Sequence, residues 1–178
     1  FLALLSATYF KSQTSDRPFS TEIVRLVQPN AIQENKWDPF YSPTFFEILL
    51  DLTSSGEADT VDLTIWPETA IVPFLDDAIK EFKQIGEHMS PDSELILGIR
   101  RQKQNEIYNS LVLLNKDGLV GGSYDKFHLV PFGEYIPILS YLKKSDFIFK
   151  DNYFNIGFSA GNGAEVLLSK IGLFRPLM

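Results

Sequence analysis

Cysteine does not occur among the 178 residues. These residues therefore supply no disulfide, no thiolate metal ligand and no cysteine nucleophile of their own. An excess of positive charge is also missing: 16 Lys and Arg stand against 23 Asp and Glu, a net charge of -7. Such a chain repels phosphate backbones, which argues against a nucleic-acid partner. No metal-ligand spacing and no phosphate-cradling glycine loop occurs, so neither a metal nor another cofactor is expected. The apolar run FLALLSATYF at residues 1–10 is too short to cross a bilayer alone, since ten helical residues rise only about 15 Å. Residues 1–20 are expected to be the end of a transmembrane segment and a linker; a signal-peptide core and a buried terminal segment are the competing readings.

What remains is an ordinary globular composition, 44% hydrophobic and 22% charged, in a length that suits one domain. Residues 21–178 are assigned to it. In EIVRLVQPN, the apolar residues Ile23, Val24, Leu26 and Val27 predict a buried strand ended by Pro29. Ser42 and Pro43 read as N-cap and first position of a helix carrying Phe45, Phe46, Leu49 and Leu50 towards Gly56. A second strand, TVDLTIW, stops at Pro67. A second helix places Phe74, Leu75, Ala78, Ile79, Phe82 and Ile85 on one face. Beyond Pro91, ELILGIR, IYNSLVLL and LVGGSYD read as consecutive strands, with Asn115 to Gly118 as turn chemistry. VLLSKIGLF reads as a closing hairpin. The class is α/β, with helices packed on a mixed sheet.

Ligands in open α/β sheets gather beyond the carboxyl ends of strands. Glu68, in Trp66-Pro67-Glu68, stands at such an end, and Lys126 follows the strand ending at Tyr124. Glu134 lies eight residues later, in a turn bounded by Pro131 and Gly133. Singly, each has a plain alternative: a helix-start carboxylate, a solvated lysine, a turn residue. Asn109 in YNS is expected to bond neighbouring backbone.

Taken together, VRLVQPN, IWPETA, YNSLVLL and above all YDKFHLVPFGEYIP resemble the nitrilase-like domain of the bacterial apolipoprotein N-acyltransferase family. The likeness runs from about residue 22 to the end of the sequence. It implies a nitrilase-like αββα sandwich, incomplete here, with the final strands and helices missing. It also implies an acyl carbon attacked by a Cys thiol, with Glu68 as general base and Lys126 stabilising the oxyanion. Glu134 matches a second family glutamate that holds the lysine charged and oriented. Trp37, in Glu34-Asn35-Lys36-Trp37-Asp38, matches a loop tryptophan near the acyl pocket, and an aromatic loop anchor is its comparable alternative. His128 reads as a hydrogen-bonded structural residue and His88 as a helix tail.

The family continues Arg-Pro-Leu into Cys-Tyr-Glu, so the nucleophile is expected just past Met178. Neither Ser110 nor Ser123 matches its position. The resemblance implies a phospholipid acyl donor, an apolipoprotein acceptor, and a bacterial inner-membrane enzyme with its catalytic domain on the periplasmic face. A soluble carbon-nitrogen hydrolase and a non-catalytic lipid- or lipoprotein-binding domain remain alternatives.

Overall fold

The computed structural model describes residues 21–32, 34–56, 60–137 and 157–177. The expectations for residues 1–20 and for the surroundings of Met178 lie outside the described residues. A five-stranded mixed sheet has the order β1 (Val24–Leu26), β2 (Leu63–Ile65), β3 (Glu94–Lys103), β4 (Glu106–Asn115) and β5 (Val120–Asp125). The first three strands are parallel, and β3, β4 and β5 form an antiparallel meander. Helix α1 (Ser42–Ser54) connects β1 to β2. A 3-10 turn (Leu75–Asp77) and α2 (Ile79–His88) connect β2 to β3. This is the expected mixed α/β arrangement, strand following helix in the first half and strand following strand in the second.

Both helices bury their apolar stripes on one face of the sheet. Leu49 and Leu50 of α1 and Phe82 and Ile85 of α2 join Leu95, Leu97, Ile99, Val112 and Leu114 in one core. The opposite face carries Leu63, Ile96 and Leu113, against which Ile171 and Phe174 pack. Those two belong to the closing hairpin, β6 (Leu167–Ser169) and β7 (Gly172–Phe174). The turn before β5 forms as its residues demand. Asn115 Oδ1 accepts the Asp117 and Leu119 amides, and Gly118 takes φ +74°.

Three local expectations are corrected. Among the described residues β1 is an edge strand rather than a buried one: it pairs with β2 on one side, and Leu26 is 76% exposed. An apolar run alone does not distinguish an edge from a centre. Ser42 lies inside α1 and Tyr41 is the N-cap, so Pro43 falls one position deeper. Ile79 is exposed rather than on the buried face. The 3-10 turn resets the helical phase, and Ala78, Phe82, Ile85 and Met89 then face the core.

Candidate active site

Four elements bring polar side chains to the top of the sheet. The segment after β2 continues alongside β3: Trp66 N donates to Ile96 O (2.8 Å), Gly98 N to Pro67 O (3.1 Å) and Ala70 N to Gly98 O (2.7 Å). Trp66 anchors it from below, since its buried indole donates to Thr53 Oγ1 of α1 at 2.8 Å. Glu68 is thereby held in a turn just past β2, followed by Thr69 at φ +49°. A β-branched residue in that region is strained. The stretch runs so close to β3 that a Cβ at Gly98 would stand 2.5 Å from Glu68 Cα.

Lys126 leaves the end of β5 pinned on both sides. Its amide donates to Asn109 O (2.9 Å), and its carbonyl accepts from Gly161 N (2.9 Å). Asp125, one residue earlier, accepts from Ser110 Oγ at 2.6 Å and from Arg101 Nε at 3.0 Å. Ser110 is fully buried in that task. The turn after Val130 places Glu134, whose amide donates to Val130 O at 2.8 Å.

These residues converge. Lys126 Nζ lies 2.9 Å from Glu134 Oε1 and 3.8 Å from Glu68 Oε1. The Lys126 and Glu134 side chains are 8% and 13% exposed, whereas that of Glu68 is 52% exposed. Glu134 is saturated with donors: Val130 N reaches Oε2 at 2.8 Å, while Lys126 and Asn109 Nδ2 (3.0 Å) reach Oε1. Burial alone raises the Glu134 carboxyl. The Val130 amide bond, the Lys126 and Asn109 bonds and the Lys126 charge outweigh it and hold the group below the usual carboxylate range. Glu134 is thus a fixed anion. Glu68 is the carboxylate open to an incoming group.

Asn109 departs from its expected role. Its main-chain carbonyl does bond backbone, but its side chain does not. Nδ2 donates to Oε1 of both Glu68 and Glu134. The residue is 1% exposed, and its Oδ1 has no partner among the described residues. Turning the amide over would aim that oxygen at two carboxylates, so the donor orientation follows from electrostatics. Its place, fourth in β4 and opposite Arg100 in register, follows from the topology of the sheet and leaves no signal in the sequence.

Trp37 is not in this cluster. It is 37% exposed, and the Arg100 guanidinium lies 4.4 Å from its ring centroid. His128 is exposed and makes no hydrogen bond among the described residues; its ring meets Phe127 edge-on at 6.3 Å. That corrects the expectation of a hydrogen-bonded structural role. His88 ends α2, with Nδ1 2.8 Å from Gln84 O.

The carbon-nitrogen hydrolase family profile matches residues 24–172. The apolipoprotein N-acyltransferase of Rickettsia bellii (strain RML369-C) is 33% identical over 179 residues, 96% of this chain and 35% of that protein. The apolipoprotein N-acyltransferase of Sinorhizobium fredii (strain NBRC 101917 / NGR234) is 31% identical over 190 residues, 100% of this chain and 36% of that protein. The chain thus spans about a third of the length of these curated relatives. The crystal structure of a carbon-nitrogen hydrolase from Helicobacter pylori G27 superposes with a TM-score of 0.54 at 15% identity, over 85% of this chain and 49% of that one; it speaks to the fold alone. No helix among the described residues is long and apolar enough to cross a membrane. By the extent of the family match and the architecture that accompanies it, the chain belongs to the carbon-nitrogen hydrolase family, and it is similar in sequence to apolipoprotein N-acyltransferases.

Proposed function

We propose that the chain supplies the acid–base and oxyanion half of an acyl-transfer site in an apolipoprotein N-acyltransferase. The observation that carries this reading is the convergence of Glu68, Lys126 and Glu134, with one carboxylate locked to the lysine and the other open. The thiol comes from outside these 178 residues, and we place it just past Met178. As that sulfur bonds to the acyl carbon of a phospholipid ester, its proton passes to Glu68 and the carbonyl electrons move to oxygen. Lys126 stabilises the resulting oxyanion, a contribution on the scale of about 3 to 4 kcal/mol for one donor. Collapse breaks the ester C–O bond, and Glu68 returns the proton to the departing alkoxide. The amino group of a diacylglyceryl-cysteine terminus then bonds to the thioester carbon and loses its proton to Glu68; the C–S bond breaks and Glu68 passes that proton to the departing sulfur, leaving an amide and the free thiol.

In this reading Glu134 keeps Lys126 charged and aimed, and Trp37 lies near the acyl path. The enzyme works at the bacterial inner membrane with this domain on the periplasmic face, and residues 1–20 are the end of a transmembrane segment and a linker. The chain by itself transfers no acyl group. The test compares it with a form extended through Cys-Tyr-Glu, each incubated with acyl-labelled phospholipid. Label is expected on the extended form alone, and is lost with Glu68→Gln or Lys126→Met. Label on the 178-residue chain overturns the nucleophile assignment. Steady release of labelled fatty acid with no transfer to an amine acceptor points instead to a hydrolase.

A further inference from the structure

Between β1 and α1 the chain makes a run of turns. Asn35 N donates to Ile32 O (3.0 Å), Asp38 N to Asn35 O (3.1 Å) and Tyr41 N to Asp38 O (3.1 Å). Those bonds are local and by themselves attach the run to nothing else. The attachment comes from Lys36 and Trp37. Lys36 Nζ donates to the main-chain oxygen of Glu68 at 2.7 Å. Trp37 lies over the guanidinium of Arg100, which is also 4.6 Å from the Phe74 ring and donates through Nη2 to Val72 O at 2.5 Å.

The surroundings of the Glu68 carbonyl explain why a side chain is needed there. Pro67 O and Gly98 O are satisfied across the seam with β3. Glu68 and Thr69 form a turn, and among the described residues no backbone donor reaches Glu68 O from β3 or from β1. The last backbone bond on the β1 side is Val27 N to Ile65 O at 2.9 Å, after which the chain departs at Pro29. A carbonyl left without a ladder donor needs another partner. An ammonium is the strongest available, because charge-assisted bonds are roughly twice as strong as neutral ones. Half-burial lowers the Lys36 ammonium, while the nearby Glu68 carboxylate raises it.

We infer that Lys36 is a positioning residue: by bonding the Glu68 carbonyl it couples the Trp37 turn to the main chain that carries the open carboxylate. A group that orders Trp37 then also fixes Glu68, and a loosened Glu68 segment frees Trp37. The word positioning rests on the acyl-transfer reading; the coupling itself does not.

The two tryptophans make the coupling measurable, since Trp66 is buried and Trp37 is not. Acrylamide quenching therefore reports Trp37, and Trp37→Phe identifies its share of the signal. Lys36→Met is expected to increase that quenching. It is also expected to speed amide exchange at Gly98 and Ala70 by at least about tenfold, the loss of one charge-assisted bond. Leu97 and Val112 amides should keep their rates, and Lys36→Arg should restore both signals. Coupling is reciprocal, so Trp37→Ala should speed the same two amides. Unchanged exchange at Gly98 and Ala70, or a uniform acceleration that includes Leu97 and Val112, overturns the proposal. Should Lys36→Met not fold, Lys36→Gln carries the same measurement with a neutral donor of shorter reach. Failure of the acyl-transfer reading would show separately, as missing label on the extended form, with these signals intact.

Discussion

Lys126 stands closer to Glu134 than to Glu68, 2.9 Å against 3.8 Å, and the nearer carboxylate is the buried one. The two glutamates therefore differ in what their removal does. Without Glu134 the ammonium is left in a largely dry site with an exposed partner. Without the Glu68 charge the buried pair survives.

Glu134→Ala should accordingly cost about 3 to 5 kcal/mol of stability, the usual penalty for stranding one partner of a buried pair. Glu68→Gln should cost less than about 1 kcal/mol, in the range of a solvent-screened pair. Urea midpoints of the two variants check this. Equal midpoints would show that Lys126 does not depend on Glu134.

The depressed Glu134 carboxyl gives a signed pH dependence. Because its folded value lies below the ordinary 4.5, its contribution is fully present above that value. It is lost as pH falls through the folded value beneath it. Wild-type stability should decline on acidification below about pH 4.5, and Glu134→Gln should lack that part of the decline. Parallel acid limbs in the two proteins would rule the assignment out.

The members of this site were legible in the sequence as candidates at strand ends and in a turn, whereas their grouping and roles came from the family resemblance. Pro67 stops β2 and delivers Glu68; Pro131 and Gly133 bound the turn that delivers Glu134. Asn109 was not legible, because its partners lie 41 and 25 residues away and depend on strand register. Nor was the attachment of Trp37, whose nearer cation comes from Arg100 on β3, far along the chain. The edge position of β1 escaped for the same reason: neighbours in a sheet are a property of topology, and an apolar run reports only composition.

Gly98 tests how tightly the Glu68 segment is seated. Its added Cβ would meet the main chain of Glu68 and Thr69, and backbone cannot yield as a side-chain tip can. Gly98→Ala should destabilise by about 1 to 3 kcal/mol, as overpacking does. It should also abolish labelling in a thiol-bearing form. Gly121 meets only Leu113 O at 3.8 Å, so Gly121→Ala is the matched control and should keep both stability and labelling. Retained labelling in Gly98→Ala would mean that Glu68 need not stand where β3 holds it.

Asn109 offers the sharpest test, because one atom separates its amide from a carboxylate of the same shape. In Asn109→Asp the donor shared by Glu68 and Glu134 becomes an oxygen, and a third negative charge enters a site where the residue is 1% exposed. Burial and two like charges oppose ionisation and outweigh the single Lys126 ammonium, which Glu134 already engages, so the folded value of the new carboxyl rises above its unfolded value of about 3.9. The sign follows from linkage. At a pH below both values the group is neutral in both states, and its O–H can still donate one of the two lost bonds. As pH rises through the unfolded value, the unfolded chain releases a proton that the folded one retains, and stability falls until the raised folded value is passed. The deficit relative to wild type should therefore be smallest below about pH 3.9 and reach at least about 2 kcal/mol at pH 7. Asn109→Ala removes the donor without adding charge, and its deficit should stay nearly constant from about pH 5.5 to 7, above the range in which Glu134 titrates. Denaturant midpoints measured at several pH values separate the two variants, and a pH-independent deficit in Asn109→Asp would show that its side chain does not lie between the two glutamates.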